Sequence, residues 1–183
     1  MGETPVKEAS TEFRAALVDC IPHLRAFAIL LTRNGDRADD LVHDAAVRAL
    51  AATHQFTPGT NFKAWIFTIL RNHHYTQSRE EQGLSFDEEK TIGEQASPAT
   101  QEIAVELSEM RRTLWRLGAD HREVLMLVGA TGFSQEEAAK LCNCAIGTIK
   151  SRLSRARREL ARLLAEGAID FSYGGAGQAA QVA

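Results

Sequence analysis

The chain has 183 residues, 44% of them hydrophobic, with a formal net charge of -3 and 3 cysteines. This size suits one large domain or two small ones, and the odd number of cysteines predicts no disulfide framework. The longest apolar run, residues 26–31, is too short to span a bilayer, and the N-terminus lacks a secretory signal pattern.

The residue usage predicts an all-α fold. Ala, Leu, Arg and Glu, which favour helix, are plentiful, whereas the sequence has no alternating apolar and polar runs of the strand type. We expect a cytoplasmic protein with reduced cysteines. Because the chain is acidic overall, we expect it to bind nucleic acid only through a local basic surface.

The first predicted helix covers residues 13–32 and is interrupted at Pro22, because proline lacks the N–H that a helix interior requires. Asp36 is the predicted N-cap of the second helix. This second helix has an apolar stripe at helical spacing, formed by Leu41, Val42, Ala45, Ala46, Ala49 and Leu50. The pattern predicts that one side of the second helix packs into a core.

A loop with a Pro-Gly turn follows at residues 54–61, and Asn61 is the predicted N-cap of a third helix. One apolar face of that helix is formed by Phe62, Trp65, Ile66, Ile69 and Leu70. The helix ends in a polar, basic stretch, residues 71–79. We expect Trp65 to be a core residue because it shares this face.

The middle of the chain differs in composition from both ends. Residues 79–109 contain nine acidic and two basic side chains, a net charge of -7, and few periodic apolar residues. We predict two small helical domains, residues 10–80 and 106–167, joined by a flexible acidic linker at 81–105. Such a linker predicts a loose relative placement of the domains. Residues 168–183 form a predicted disordered tail.

The second domain shows two predicted capping boxes, Asp120 with Glu123 and Ser134 with Glu137. The sequence "GATG" at 129–132 ends the helix after the first box, and "CNC" at 142–144 breaks the chain after the second. Two short helices joined by a tight turn, the second of them basic, are typical of a helix-turn-helix.

The last predicted helix, residues 145–165, has two distinct sides. Its predicted inner side holds Ile146, Ile149, Leu153, Ala156 and Leu160. Its outer side presents hydroxyl groups surrounded by Lys and Arg side chains. Arg can bond guanine edges with two hydrogen bonds, and Lys can neutralise phosphates, so this helix is a predicted reader of the DNA major groove.

Three segments resemble, in order and spacing, bacterial sigma factors of the extracytoplasmic-function (ECF) type. They are "DRADDLVHDAAVRAL" (36–50), "TNFKAWIFTILRNHH" (60–74) and "GFSQEEAAKLCNCAIGTIKSRLSRARREL" (132–160). The resemblance implies a sigma-2 domain, a linker and a sigma-4 domain, which bind core RNA polymerase and promoter DNA. The amino-acid sequence of residues 127–152 is similar to that of the general-stress-response subgroup. This similarity implies sequestration by a NepR-type anti-sigma factor and release by a PhyR-type regulator.

The resemblance assigns polymerase binding to the second helix. Its exposed face would contact the clamp coiled coil of the β′ subunit, and the β subunit is a further expected partner. The residues at the matching positions are Asp40, His43, Asp44, Val47 and Arg48. His43 stands where the family more often has Gln.

The resemblance also implies that the loop before "FKAW" and the helix after it read the promoter -10 element. In the family a base is flipped out of the stack into a pocket in this loop. The matching residues are Gln55, Phe56, Asn61, Phe62, Lys63, Arg71, Asn72 and His74. Phe56 fits a loop anchor and a base contact equally well.

In sigma-4 the matching helix lies in the major groove of the -35 element. Lys150, Ser151 and Arg155 match base-contacting positions. Thr148, Arg152 and Arg158 match positions that hold phosphates.

Other functions find less support in the sequence. Cys142 and Cys144 fit structural packing better than a metal or redox pair, because no further ligands stand at suitable spacing. No motif of an enzyme, cofactor site or small-molecule site occurs. Two alternatives share parts of the pattern, namely a sigma-mimicking anti-anti-sigma protein, which would carry a receiver domain, and a free-standing helix-turn-helix regulator.

Overall fold

The computed structural model describes residues 9–82 and 110–174, with side chains to residue 80 in the N-terminal segment and to residue 166 in the C-terminal segment. All regular secondary structure in these two segments is helical, which confirms the predicted all-α class. The predicted linker, residues 81–105, lies almost wholly outside the described residues.

Helix α1 covers Thr11–Thr32 and begins at Ser10, whose Oγ accepts a hydrogen bond from the backbone N–H of Phe13 at 3.2 Å. Pro22 lies inside this helix, so the predicted interruption was wrong. Residues on both sides of the proline, among them Leu17 and Phe27, are buried. Their packing holds the helix together although Pro22 removes one backbone hydrogen bond.

By length and composition alone α1 could cross a membrane, since its most apolar window has a mean hydropathy of 1.5. Single polar residues divide the apolar side chains of this helix, so its longest uninterrupted apolar run is only residues 26–31. Its inward apolar side chains, including Leu24 and Phe27, form part of the protein core. One third of the apolar window is buried, and a single helix that passes this test is weak evidence for a membrane span.

Helix α2 covers Gly35–Ala51 and α3 covers Phe62–Gln82, with a 3-10 turn at Thr53–Gln55 between them. Asn34, not the predicted Asp36, caps α2, since its side chain accepts from the N–H of Arg37 at 3.0 Å. The predicted cap of α3 is confirmed, because Asn61 Oδ1 accepts from the N–H of Ala64 at 3.0 Å.

The predicted apolar side of α2 lies largely in the core. Leu41, Val42, Ala45 and Ala49 are buried, whereas Leu50 is 39% exposed. Helices α1, α2 and α3 pack against one another through these side chains and through the buried residues of α3, Ile66, Phe67 and Leu70.

The C-terminal segment contains α4 at residues 110–116, α5 at Ala119–Leu125, α6 at Gln135–Leu141 and α7 at Ile146–Gly174. A π-helical turn, Met126–Ala130, extends α5. Gly132 then adopts a φ of +78°, a left-handed conformation that glycine adopts readily, and the chain turns toward α6. This turn lies where "GATG" predicted the helix to end.

One predicted capping box is confirmed and one was wrong. Ser134 and Glu137 form both reciprocal hydrogen bonds at the start of α6. Helix α5 instead begins after Gly118, two residues before Asp120, without any side-chain cap, and the Glu123 carboxylate hydrogen-bonds to α3. Asn143, at a φ of 50°, makes the predicted tight break before α7.

Helix α7 continues to Gly174, beyond the predicted end near residue 165. The predicted disordered tail, residues 168–183, therefore overlaps the backbone of this helix. Its remainder, residues 175–183, lies outside the described residues.

The two segments pack against each other and share one cluster of buried side chains. Phe67 of α3 and Phe133 before α6 meet edge to face across this boundary, with ring centroids 5.2 Å apart. Helices α1 and α3 of the N-terminal segment contact α5 and α6 of the C-terminal segment. This packing differs from the loose placement that the linker composition predicts.

Candidate nucleic-acid interface

A buried seam fixes the orientation of helix α7. Ile149, Leu153 and Ala156 are buried as predicted, while Ile146 is 37% exposed. Leu163, one helical turn after the partly buried Leu160, continues the seam. The seam places Lys150, Ser151, Arg155 and Arg158 on the exposed side, with Thr148 and Arg152 partly buried at its edge.

The cations of α7 differ in their pairing. The Arg152 guanidinium lies 2.6 Å from the Asp120 carboxylate, so phosphate binding by Arg152 would compete with this ion pair. Arg162 donates hydrogen bonds to Glu159 and Glu166, and the Glu159 contact is the main reason that its pKa is raised. Lys150, Arg155 and Arg158 show no ion pair within the described segments and present free charge.

The loop before α3 is held by four aromatic rings. Phe56 and Phe62 pack edge to face with centroids 5.2 Å apart, and Phe13 of α1 lies 5.0 Å from Phe62. Trp65 contacts all three rings, which confirms it as a packing residue. Phe56 is thus an anchor of the loop, and the sequence did not predict the contribution of Phe13.

Three of the eight residues predicted to read the -10 element contact the C-terminal segment. Asn61 Nδ2 donates to Glu137 at 2.6 Å, and Lys63 Nζ donates to the backbone carbonyl of Thr131 at 2.7 Å. Arg71 Nε donates to Glu123 Oε1 at 2.7 Å. We call these three hydrogen bonds, together with the Phe67–Phe133 contact, the intersegment contact.

Arg71 and Glu123 form the most buried charged pair of this contact, with side chains 15% and 1% exposed. Burial alone would lower the pKa of Arg71, but the hydrogen bond and charge of Glu123 outweigh it and raise that pKa. Tyr75 donates to the same carboxylate at 3.4 Å. Burial and the nearby Glu123 charge raise the pKa of Tyr75 to about 12, so its hydroxyl stays protonated and can donate.

The other predicted -10 residues lie nearer to solvent. Gln55 and Asn72 are exposed, and the His74 ring packs against Tyr75 with centroids 5.3 Å apart. His74 also lines an open cleft of about 470 Å³ between the three N-terminal helices. The cleft is lined by Leu31, Thr32, Arg37, Asp40, Leu41, His74, Gln77 and Ser78, and the sequence did not predict it.

The predicted polymerase-binding face lies on the outer side of α2. Asp40, His43 and Arg48 are exposed there, and Val47 is 51% exposed. Asp44 is only partly exposed, because its Oδ2 lies 2.9 Å from Nε2 of the buried His73. The sequence predicted His73 and His74 as surface or strand-contacting residues rather than metal ligands, and this was wrong for His73, since its burial depends on how α3 packs against α2.

Comparison with known proteins identifies the family. The model of Sigma-70 region 2 matches residues 17–83, and that of Sigma-70 region 4 matches residues 107–160. The ECF RNA polymerase sigma factor EcfG of Rhodopseudomonas palustris is 47% identical over 163 residues, covering 86% of this chain and 88% of the relative. The chain belongs to the ECF sigma factors.

Two further relatives agree with this assignment. CnrH, an RNA polymerase sigma factor of Cupriavidus metallidurans, is 31% identical over 76% of this chain and 87% of its own. Among solved structures, the sigma factor RpoE of Bartonella quintana, in complex with the anti-sigma factor NepR, has a TM-score of 0.70. It is 42% identical, and the match covers 85% of this chain and 98% of that one. Matches to both sigma regions exclude a free-standing helix-turn-helix regulator.

The cysteines of this sigma factor are packing residues. Cys20 and Cys142 are buried, and Cys144 is partly buried. Burial and the nearby Glu123 charge raise the pKa of Cys142 to about 12, which keeps its thiol protonated and unreactive at neutral pH. Residues 9–82 and 110–174 contain no group of three or more side chains suited to hold a metal ion.

A buried arginine, Arg122, was missed by the sequence analysis. Its Nε donates to the carbonyl of Leu30 in α1 at 2.9 Å, and a terminal nitrogen donates to the carbonyl of Leu117 at 3.1 Å. Arg33, which follows the last residue of α1, donates to the carbonyl of Trp115 at 3.1 Å. Burial, together with the charge of Arg33, lowers the pKa of Arg122. An isolated Arg in a short helix carries no sequence signal for this burial.

Proposed function

We propose that this ECF sigma factor binds core RNA polymerase and directs transcription initiation at promoters with -10 and -35 elements. The observation that carries the proposal is the free cationic side of α7, held outward by a buried seam, in a chain that is acidic overall. The protein acts by binding, and the polymerase supplies the chemistry. Because bacterial polymerase works in the cytoplasm, we place the protein there.

We propose a sigma-2 domain at residues 10–80 and a sigma-4 domain at 106–167, joined by the acidic segment 81–105. The matches to the two sigma regions, at 17–83 and 107–160, support this division. The division assigns the -10 element to the N-terminal segment and the -35 element to the C-terminal segment.

In the C-terminal segment, α7 would enter the major groove of the -35 element. Lys150, Ser151 and Arg155 lie on its exposed side, where base edges would be within reach. Arg158, Thr148 and Arg152 would bind phosphates, Arg152 after exchanging Asp120 for a phosphate oxygen. Ser151 Oγ donates to the Thr148 carbonyl at 3.0 Å, which leaves its oxygen free to accept a bond from DNA.

In the N-terminal segment, the loop and the first turns of α3 would hold the single-stranded -10 element. Gln55 and Asn72 are exposed, Asn61, Lys63 and Arg71 contact the C-terminal segment, and His74 lines the cleft between the N-terminal helices. Base flipping costs a few kcal/mol of stacking, which capture of the base must offset. The aromatic cluster holds Phe56 and Phe62 in place, so the loop would offer the base a rigid pocket.

Polymerase binding would involve the exposed side of α2. Val47 supplies an apolar centre, and Asp40, Asp44 and Arg48 surround it with charge. An apolar centre with a polar rim is the usual arrangement of a specific protein interface. We propose the clamp coiled coil of the β′ subunit as the partner of this face, with further contacts to the β subunit.

A NepR-type anti-sigma factor is the proposed inhibitor, and the general stress response is the proposed setting. The support is the RpoE structure, which contains NepR bound to a sigma factor 42% identical to this chain. Such an inhibitor would compete with core polymerase for the same sigma factor.

The decisive experiment is reconstitution with purified core polymerase. We expect the full chain to bind core polymerase in a pull-down, and Val47→Asp to weaken that binding because it places a charge in an apolar centre. Val18→Asp on α1 is the matched control, since Val18 is 62% exposed outside the proposed face. Failure of the full chain to bind core polymerase would refute the proposed function.

A further inference from the structure

We propose that His73 is a positioning residue for polymerase binding, because it holds the Asp44 carboxylate in the orientation in which α2 presents it to core RNA polymerase. His73 belongs to α3, and its Nε2 lies 2.9 Å from Oδ2 of Asp44 on α2. The inference rests on the proposed function, since it needs the outer side of α2 to contact polymerase.

The two partners of this contact differ in exposure. The His73 side chain is 8% exposed, whereas the Asp44 side chain is 46% exposed. A buried imidazole needs a hydrogen-bonding partner. Because an ionised carboxylate only accepts hydrogen bonds, His73 Nε2 carries the hydrogen and donates it to Asp44. Asp44 is therefore held from its buried side, while nearly half of its side chain remains open to a partner protein.

Asp44 lies in the middle of the proposed polymerase-binding face. Asp40 and Arg48 lie one helical turn before and after it, and Val47 lies three residues after it, so all four share one side of α2. Val47, the apolar centre of this face, is 51% exposed. The carboxylate thus borders the apolar centre, where its orientation decides which donor of polymerase it can meet.

Without His73, the Asp44 carboxylate would have another partner within its own helix. Asp and Arg four residues apart on a helix are neighbours and attract each other. The described segments nevertheless show Asp44 paired with His73 and show no ion pair between Asp44 and Arg48. His73 therefore keeps these two charges of α2 apart, so that both remain available to polymerase.

A carboxylate that is already oriented improves binding by reducing the loss of entropy. Ordering a freely rotating side chain at an interface weakens binding by about two- to ten-fold. The His73 ring cannot rotate freely, because it is buried where α3 packs against α2. The contact therefore orders Asp44 before polymerase arrives.

Competition for purified core polymerase measures the contribution of His73. A fluorescently labelled wild-type chain is displaced from core polymerase by each unlabelled variant of the full chain. His73→Leu cannot donate a hydrogen bond, and we expect it to bind about two- to ten-fold more weakly. His73→Gln keeps an N–H donor of similar reach, and we expect it to restore most of the lost affinity. A folded His73→Leu that binds as tightly as the wild type would overturn the proposal.

A double-variant cycle with Asp44→Ala distinguishes positioning from a general effect on the fold. If His73 acts through Asp44, His73→Leu should weaken binding in the wild-type background and have no effect in the Asp44→Ala background. An undiminished effect in the Asp44→Ala background would overturn the proposal, because His73 would then act on another part of the protein.

Arg25→Leu is the matched control. Arg25 of α1 donates to Asp39 of α2 at 2.7 Å, so this variant also removes an interhelical partner from a carboxylate of α2, but from one outside the proposed face. We expect its affinity for core polymerase to equal that of the wild type. A loss as large as that of His73→Leu would overturn the proposal, because any interhelical pair would then have the same effect.

Circular dichroism reports whether each variant is folded. If His73→Leu does not fold, His73→Phe, which keeps a ring but also lacks the donor, is measured in the same way. Failure of the proposed function is distinguishable from failure of this inference. A wild-type chain that does not bind core polymerase refutes the proposed function. A wild-type chain that binds no more tightly than Asp44→Ala refutes only the positioning role of His73.

Discussion

At the scale of single residues, the cations of α7 have different expected roles because their partners differ. Arg155 is exposed with no ion pair in the described segments, whereas Arg162 is held by Glu159 and Glu166. A free guanidinium can bond a guanine edge with two hydrogen bonds, but a paired one must first give up its carboxylates.

Arg155→Ala should therefore weaken discrimination of the -35 element. The expected loss is about 1–3 kcal/mol if the contact to the base is bidentate. Transcription from promoters with intact and scrambled -35 elements measures the effect, with core-polymerase binding expected to be unchanged. Arg162→Ala is the matched control and should have a smaller effect. An equal loss on both promoters would show that Arg155 contacts only phosphate.

Replacement of Cys142 and Cys144 together by Ala should leave promoter-directed transcription nearly intact. The Cys142 thiol is buried, and its pKa of about 12 leaves almost no thiolate at neutral pH. The measurement is transcription in the presence and absence of a mild oxidant. Oxidant-sensitive activity in the wild type that the double variant lacks would contradict the packing role.

At the scale of helices, local sequence patterns predicted the elements well and their caps less well. The confirmed caps, Asn61 and Ser134, act within three residues of their own position, so the sequence contains all that they need. The prediction of Asp36 as the N-cap of α2 was wrong, because Asn34, two residues earlier, has the extended backbone conformation of an N-cap. The box of Asp120 and Glu123 does not form because α5 begins after Gly118, and Glu123 instead pairs with Arg71, 52 residues away.

The capping box of α6 predicts a specific response to acid. Glu137 accepts hydrogen bonds from the Ser134 backbone and from Asn61, and these hold its pKa below the usual 4.5. A lowered folded-state pKa stabilises the protein above the unfolded-state value, and this stabilisation is lost as the pH falls through the folded-state value. The thermal midpoint of the wild type should therefore fall more steeply below about pH 4.5 than that of Glu137→Gln.

Glu136→Gln is the matched control for this measurement, because Glu136 is exposed and takes no part in the capping box. It should follow the wild type on acidification. Identical acid profiles of the wild type and Glu137→Gln would show that the carboxylate contributes no pH-dependent stability.

At the scale of the whole molecule, the sequence predicted the all-α class and the three helical motifs, but not how the two segments meet. Most side chains of the intersegment contact, such as Lys63 and Glu137, read locally as exposed polar residues of helices. Their pairing depends on contacts between positions 52 to 76 residues apart, which no helical periodicity encodes. The predicted loose placement failed for the same reason, since it considered only the linker composition.

This packing leads to a final expectation for the free protein, which should bind duplex promoter DNA weakly. The outer side of α7 then offers a group of exposed cations, among them Lys150, Arg155 and Arg158, on a chain with a net charge of -3. Because few phosphates are neutralised, the logarithm of the binding constant should fall only shallowly with the logarithm of salt concentration, at about -0.9 per phosphate contact. Fluorescence anisotropy at several salt concentrations measures this slope. Core polymerase should raise the affinity by opening the segments and adding the -10 contacts of α3. Nanomolar binding of promoter duplex by the free chain at physiological salt would contradict this expectation, because a few exposed cations on one helix do not account for such affinity.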